Sequence, residues 1–112
     1  MKIAIIGSRG ITIDNIDFFV KDFVKDGDEI VSGGALGVDL CAREYAKSRN
    51  LKITEFLPDY KLYGKAAPIV RNRQIVDYAD KIIVIWDGRS RGSLFTMRYA
   101  RKTGKSCTVI TL

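Results

Sequence analysis

Short apolar segments alternate with amphipathic segments along the whole chain, and this alternation restricts the possible folds more than any other feature. Strands are predicted over residues 2–7, 29–32, 52–57, 82–86 and 107–112. Helices are predicted over residues 14–25, 36–48, 68–79 and 92 or 93–103, with an irregular stretch over 58–66. Strands that alternate with helices build right-handed crossovers and a parallel sheet covered on both faces. We therefore expect a three-layer, Rossmann-like α/β domain over residues 1–112, its five-stranded parallel sheet ordered 3-2-1-4-5.

The amino-acid composition narrows the chemistry. The chain has no histidine, which excludes Ser-His-Asp and Cys-His catalysis and leaves no conventional zinc site. Cys41 and Cys107 each lie in an apolar run, so we expect buried free thiols rather than a disulfide. No apolar stretch has the length of a membrane span, and we expect a cytoplasmic protein with no membrane partner. The net charge of +6 favours anionic partners.

Unusual residues collect directly after the predicted strands. These loops are Gly7-Ser8-Arg9-Gly10, Ser32 to Asp39, Pro58-Asp59-Tyr60 and Trp86 to Ser93. The carboxyl ends of parallel strands share one edge of the sheet, and ligands of open α/β sheets bind there, in the crevice where the strand order reverses. With the predicted order, that crevice lies between the loops that contain Gly7 and Gly88.

Two of these loops combine glycine with the start of a helix. Gly33, Gly34 and Gly37 precede the second helix, and Gly92-Ser93 opens the fourth beside Arg91. Free N–H groups and the positive end of the helix dipole suit a phosphate at such positions. Alternatively, the glycines only permit tight turns. Two such turns on one edge, with arginines, indicate an anion site without identifying the anion.

Three residues each leave two roles open. Asp39 lies in the first turn of the second helix, where it either complements the dipole or accepts a ligand hydroxyl. Asn72, flanked by Arg71 and Arg73, either bonds neighbouring backbone or faces the ligand cleft. Trp86 either packs in the core or stacks on a base. Asn72 falls within the apolar arc of the third helix, which comprises Ile69, Ile75, Val76 and Ala79.

Taken in order, the motifs resemble the YspA/cpYpsA-related branch of the SLOG superfamily. They are Gly7-Ser8-Arg9, Ser32 to Asp39, Pro58-Asp59-Tyr60, Tyr63-Gly64-Lys65, Arg71-Asn72-Arg73, Ala79-Asp80, Trp86-Asp87-Gly88 and Ser90-Arg91-Gly92-Ser93. The superfamily also contains the DNA-processing protein A domain and the Lonely Guy phosphoribohydrolases. The resemblance implies a Rossmann-type domain that binds a nucleotide-derived ligand and self-associates as a homo-oligomer.

The residues and the resemblance together predict one ligand site and no metal or other cofactor. Its predicted residues are Gly7, Ser8, Arg9, Ser32, Gly33, Gly34, Gly37, Asp39, Arg71, Asn72, Asp87, Gly88, Ser90, Arg91, Gly92 and Ser93. Phosphoribohydrolase relatives carry Gly-Thr-x-x-Glu, and Thr96 stands at the glutamate position here. No catalytic residue is therefore assigned, because a carboxylate that would assist glycosidic cleavage is missing.

Three functions follow as hypotheses. The first is a sensor, carrier or sequestering domain for a nucleotide or an ADP-ribose-like molecule. The second is a nucleoside-monophosphate N-glycosidase in which Asp39, Asp59 or Asp87 replaces the missing glutamate. The third is single-stranded DNA binding, which the DNA-processing relatives and the positive charge suggest, although the sequence shows no row of aromatic stacking residues.

Overall fold

A five-stranded parallel sheet with helices on both faces organises the chain, and the computed structural model describes all 112 residues. The strands are β1 (Lys2–Gly7), β2 (Glu29–Ser32), β3 (Lys52–Glu55), β4 (Lys81–Trp86) and β5 (Ser106–Thr111). The helices are α1 (Ile16–Val20), α2 (Val38–Ser48), α3 (Tyr60–Tyr63), α4 (Ala67–Tyr78) and α5 (Arg91–Lys102), with a 3₁₀ turn at Gly64–Ala66. The strand order β3-β2-β1-β4-β5 confirms the predicted topology.

Alternate residues of the central strand β1 pack into two separate cores. Ile3 and Ile5 face α1 and α2, whereas Ala4 and Ile6 face α4 and α5. A strand exposes successive side chains on opposite faces, so an unbroken apolar strand needs cover on both sides. None of the helices combines the length and apolar character that crossing a membrane requires.

Two segments differ from the prediction because local hydrogen bonds override the apolar spacing. The first helix ends at Val20 instead of continuing to residue 25. There the N–H of Phe23 bonds the Val20 carbonyl at 2.9 Å, a tight turn that ends the helix although Val24 stays buried. The stretch expected to be irregular contains α3, which begins because the Asp59 carboxylate accepts from the Leu62 N–H at 3.1 Å.

The two cysteines are free, as expected, but they are half-buried rather than buried. Cys41 packs beside the core under α1 and α2, and Cys107 beside the core under α4 and α5. Partial burial raises the pKa of the Cys107 thiol.

The end of β1 lies unusually close to β4. Gly7 pairs with Ile85, and the Ser8 N–H bonds the Ile85 carbonyl oxygen at 3.1 Å. A Cβ atom at Gly7 would stand 2.1 Å from that oxygen and 2.8 Å from the Val38 side chain. Only glycine therefore allows β1 to end against β4 with α2 packed over it.

We predict that Gly7→Ala lowers the free energy of unfolding by about 2–3 kcal/mol, because the added methyl group collides with rigid backbone. Gly10→Ala is the matched control, since a Cβ there meets nothing within 4 Å. Urea unfolding of both variants measures the difference. Equal stabilities for the two variants would contradict the close approach of β1 and β4.

Candidate functional site

A cavity of about 430 Å³ opens at the carboxyl edge of the sheet, beyond the end of β1. β1 lies between β2 and β4, so the cavity is at the position where the strand order reverses. The loops after β1, β2 and β3 form part of its wall, and α4 and the start of α5 complete it. The structure brings together ten of the predicted site residues here: Gly7, Arg9, Gly33, Gly34, Asp39, Arg71, Asn72, Ser90, Gly92 and Ser93.

Three of the predicted residues lie behind the cavity wall and hold the loops in place. The buried Ser8 hydroxyl accepts a hydrogen bond from the Asp87 N–H at 3.1 Å. The Ser32 hydroxyl donates to the Ile5 carbonyl oxygen at 2.9 Å. Gly37 has a φ of +75°, and a Cβ there would stand 2.4 Å from the Arg9 carbonyl oxygen. None of the three lines the cavity.

The other three predicted residues that do not line the cavity lie in the loop after β4 and at the start of α5. The Asp87 carboxylate accepts from the N–H groups of Arg89 and Ser90, both at 2.8 Å, and these bonds lower its pKa. Gly88 has a φ of +81° in an exposed turn, and the Arg91 side chain is exposed. The prediction placed these residues from chain position alone, and the loop turns them away from the cavity.

Trp86 packs against the core beneath α4 and α5 and does not line the cavity. Its ring N–H donates to the Ser90 carbonyl oxygen at 3.0 Å, which ties the end of β4 to the start of α5. Of its two open roles, packing in the core is the one the structure supports.

Arg71 connects α4 to the loop after β2. Its Nη1 donates to the Gly33 carbonyl oxygen at 2.7 Å, and its Nε donates to Asn72 Oδ1 at 3.0 Å. Asn72 therefore faces the cavity and pairs with a side chain instead of neighbouring backbone. A Cβ at Gly33 would stand 2.6 Å from Arg71 Nη1 and 2.8 Å from Asp39 Oδ2, so glycine is needed for this arrangement.

Asp39 is a buried carboxylate with one unsatisfied oxygen. It is 5% exposed, and its Oδ2 accepts from the Ala35 N–H at 3.2 Å. Its Oδ1 is buried without a hydrogen-bond partner. The hydroxyl of the nearby Ser32 donates its hydrogen bond to the Ile5 carbonyl oxygen instead. Burial raises the pKa of Asp39, although Ala35 and the Arg71 guanidinium act in the opposite direction. A ligand hydroxyl or amine that donated to Oδ1 would remove a cost of about 1–3 kcal/mol.

The two helix starts differ in what they offer an anion. At α2, the Val38 N–H is directed to the Ser8 carbonyl oxygen at 3.4 Å, and the Asp39 carboxylate occupies the space beside the first turn. At α5, Gly92 lines the cavity, and the Ser93 N–H is directed to the Ser90 hydroxyl at 3.5 Å, which leaves the N–H groups of Arg91 and Gly92 without an acceptor in the helix. Each helix start therefore has one amide bonded to the protein itself, and the carboxylate of Asp39 makes the start of α2 the less suitable of the two for an anion.

Charge in the cavity is mostly positive. Arg9 is exposed at the mouth, and Arg71 is half-buried deeper inside. Burial lowers the pKa of Arg71, but a guanidinium keeps its charge in proteins. Asp39 is the single acidic side chain in the lining. The arrangement suits an anion that also carries a hydrogen-bond donor.

Several lining residues were not predicted. Leu57, Pro58 and Tyr60 follow β3 and form one wall, and Ile6, Ala35, Pro68 and Ile75 complete the lining. The Pro58-Asp59-Tyr60 motif was a usable signal, because it follows a strand like the other loops. Thr96, at the position of the phosphoribohydrolase glutamate, also lines the cavity, and its hydroxyl donates to the Gly92 carbonyl oxygen at 2.9 Å.

Comparison with known proteins agrees with this fold and topology. Residues 1–53 match the model of the DNA recombination-mediator protein A family. The solved structure of DNA processing protein A from Helicobacter pylori, which has a single-stranded DNA binding mode, superposes with a TM-score of 0.76 at 27% identity. These two findings support the resemblance of the chain to the SLOG proteins related to DNA processing protein A. The alignment covers 97% of this chain but 64% of the H. pylori chain, and no curated protein matches the sequence.

We predict that Asp39→Asn stabilises the unliganded protein at neutral pH. Because burial raises the pKa of Asp39 above 3.8, the folded state favours the protonated carboxyl, and wild-type stability declines as pH rises through the raised pKa. The variant keeps an acceptor for Ala35 and has no charge to bury. Its advantage over wild type in free energy of unfolding should grow as the pH is raised above about 4 and then level off, measured by urea unfolding. A stability difference that does not change with pH would contradict this assignment.

Proposed function

We propose that the cavity binds a nucleotide-derived, phosphate-bearing small molecule, and that the domain acts as a sensor, carrier or sequestering protein for it. The observation that carries this proposal is the convergence of Arg9, Arg71 and the free Gly92 N–H at the start of α5 on one cavity. Its volume of about 430 Å³ falls within the range of small-molecule sites. Phosphate is the anion for which guanidinium groups and helix amides are jointly suited.

The lining also offers groups for the rest of such a ligand. In the proposal, the phosphate lies at Gly92 and Ser93, while Asp39 Oδ1 accepts a hydrogen bond from a ligand hydroxyl. Leu57 and Tyr60, which are 64% and 60% exposed, supply an apolar surface for a sugar or base. An ADP-ribose-like molecule or a nucleoside monophosphate has each of these parts.

For the N-glycosidase alternative, three carboxylates were candidates, and one of them lines the cavity. Asp59 caps α3 and Asp87 holds the loop after β4, and neither lines the cavity. Asp39 is the remaining candidate. Release of free base from nucleoside monophosphates would assign that activity to this domain.

Single-stranded DNA binding is the second candidate function, favoured by the structural similarity to the H. pylori protein. The same cavity groups would then hold one backbone phosphate of the strand.

We also propose that the protein is located in the cytoplasm, since its free thiols suit a reducing compartment. Self-association stays a prediction, which analytical ultracentrifugation tests.

Arg71→Ala tests the small-molecule proposal. Wild type should gain thermal stability with at least one member of a panel of nucleoside monophosphates, dinucleotides and ADP-ribose. Loss of the Arg71 guanidinium should weaken that binding by about 10- to 100-fold, as expected for a charged hydrogen bond. Arg101→Ala is the matched control, because this arginine is exposed on α5 outside the cavity.

Two results would contradict the proposal. The first is a panel in which no member changes the melting temperature of wild type. The second is equal weakening by Arg71→Ala and Arg101→Ala, which would indicate attraction by net charge instead of a built site. Isothermal titration calorimetry supplies the affinities.

A further inference from the structure

A groove between α1 and α2 shares no residue with the cavity and has a volume of about 440 Å³. We call it the α1/α2 groove. Its α1 wall is formed by residues 13–17, and its α2 wall by Leu40, Cys41, Glu44, Tyr45 and Ser48. The residues of the α2 wall recur at intervals of three and four, so they lie on one face of that helix.

Two hydrogen bonds hold the walls of the α1/α2 groove together. At one end, the Ile13 N–H donates to Cys41 Sγ at 3.5 Å. At the other end, directly after the last residue of α2, Arg49 Nη1 donates to Asp17 Oδ1 at 3.1 Å. The groove is therefore a fixed part of the folded protein and needs no ligand to form.

The groove is acidic, although the chain has a net charge of +6. Asp14 and Asp17 belong to the α1 wall and Glu44 to the α2 wall, and no lysine or arginine lines the groove. The side-chain carboxylates that form ion pairs are those of Asp17, Asp26, Asp28, Glu29 and Glu55. Asp14 and Glu44 are exposed and have no counter-ion in the protein. The groove therefore favours a cation, whereas the chain as a whole favours anions.

The carboxylates of the groove are too dispersed for a metal ion. No three acidic or cysteine side chains of the chain come together closely enough to hold one. Part of the remaining lining is apolar and consists of Ile13, Ile16 and Leu40, of which Leu40 is 40% exposed. Separate negative charges with hydrocarbon beside them match an extended cation in which methylene segments join ammonium groups.

Tyr45 supplies an independent indication of a ligand. This side chain lines the groove and is 3% exposed, and its hydroxyl oxygen is buried without a hydrogen-bond partner. Burial raises the pKa of the Tyr45 hydroxyl, and the carboxylate of Asp17 acts in the same direction. The hydroxyl is therefore neutral at pH 7, and an amine N–H that donated to it would supply the missing hydrogen bond.

We propose that the α1/α2 groove binds an aliphatic di- or polyamine, with ammonium groups at Asp14 and Glu44 and the methylene chain on the apolar part of the lining. In this arrangement an amine N–H donates to the Tyr45 hydroxyl. A small inorganic cation would pair with one wall, leave the carboxylate of the other wall unpaired and make no use of the apolar residues.

This proposal is independent of the cavity and its ligand, because the two sites have no residue in common. They also attract opposite charges. The net charge of the chain repels amines, so amine binding cannot be explained by attraction to the protein as a whole.

Isothermal titration calorimetry with spermidine, in the absence of nucleotides and at about 50 mM salt to limit screening, tests the proposal. Wild type should bind spermidine saturably at one site. Glu44→Gln should weaken the affinity about 5-fold, the upper value for an exposed ion pair, and D14N/E44Q about 25-fold if the two carboxylates act independently. Asp22→Asn is the matched control, because it removes an exposed, unpaired carboxylate outside the groove. It should change the affinity by less than about 2-fold.

Tyr45→Phe separates a binding role from a structural one. Because it removes a buried hydroxyl that has no partner, the free variant should melt no lower than wild type. It should nevertheless bind spermidine about 5-fold more weakly, the loss typical of one hydrogen bond.

The proposal is overturned if wild type does not bind spermidine, or if Glu44→Gln and Asp22→Asn weaken binding equally. Binding of MgCl₂ with the affinity of spermidine would also overturn it, because the apolar lining would then contribute nothing. Binding of a lysine-rich peptide but of no free amine would overturn it in favour of a protein partner.

Discussion

The pairing of β1 with β4 is the interaction on which the rest of the structure depends. Helices α1 and α2 cover one face of the sheet, and α4 and α5 cover the other. At this pairing the chain passes from the first set to the second, so α2 and α5 begin on either side of the end of β1. Gly7 permits this pairing because any side chain would meet the Ile85 carbonyl. The loops after β1, β2 and β3 then surround an opening that α4 and α5 close. The cavity is thus a consequence of topology, and its chemistry comes from the residues in those loops.

The sheet was predictable because its strands are apolar on both faces. Residues such as Ile3 to Ile6 and Ile82 to Ile85 form uninterrupted apolar runs, and few topologies bury five such runs between helices. The end of α1 was not predictable, because Val20 and Val24 keep helical spacing while hydrogen bonds form a turn. Likewise, α3 rests on one carboxylate cap at Asp59, a signal too local to outweigh the polar composition around it.

Site residues were predictable at the level of loops but not of side chains. Glycines and Arg9 at strand ends indicated the correct edge of the sheet. The spacing of Asn72 among the apolar residues of α4 indicated that it faces inward. Whether a loop side chain points to the cavity depends on its hydrogen bonds. Asp87 is held by two backbone N–H groups and faces away, whereas Asp39 turns inward and is left with an unsatisfied oxygen. Such differences arise only once the loops are folded.

The central claim is that the Gly92 amide at the start of α5 contacts the phosphate of a nucleotide-derived ligand. Amide chemical shifts recorded by NMR during titration with the tightest-binding nucleotide test it most directly. The account predicts that the Gly92 amide shifts in proportion to occupancy, while that of Gly104 stays fixed. Saturable binding that leaves the Gly92 amide unchanged would contradict it.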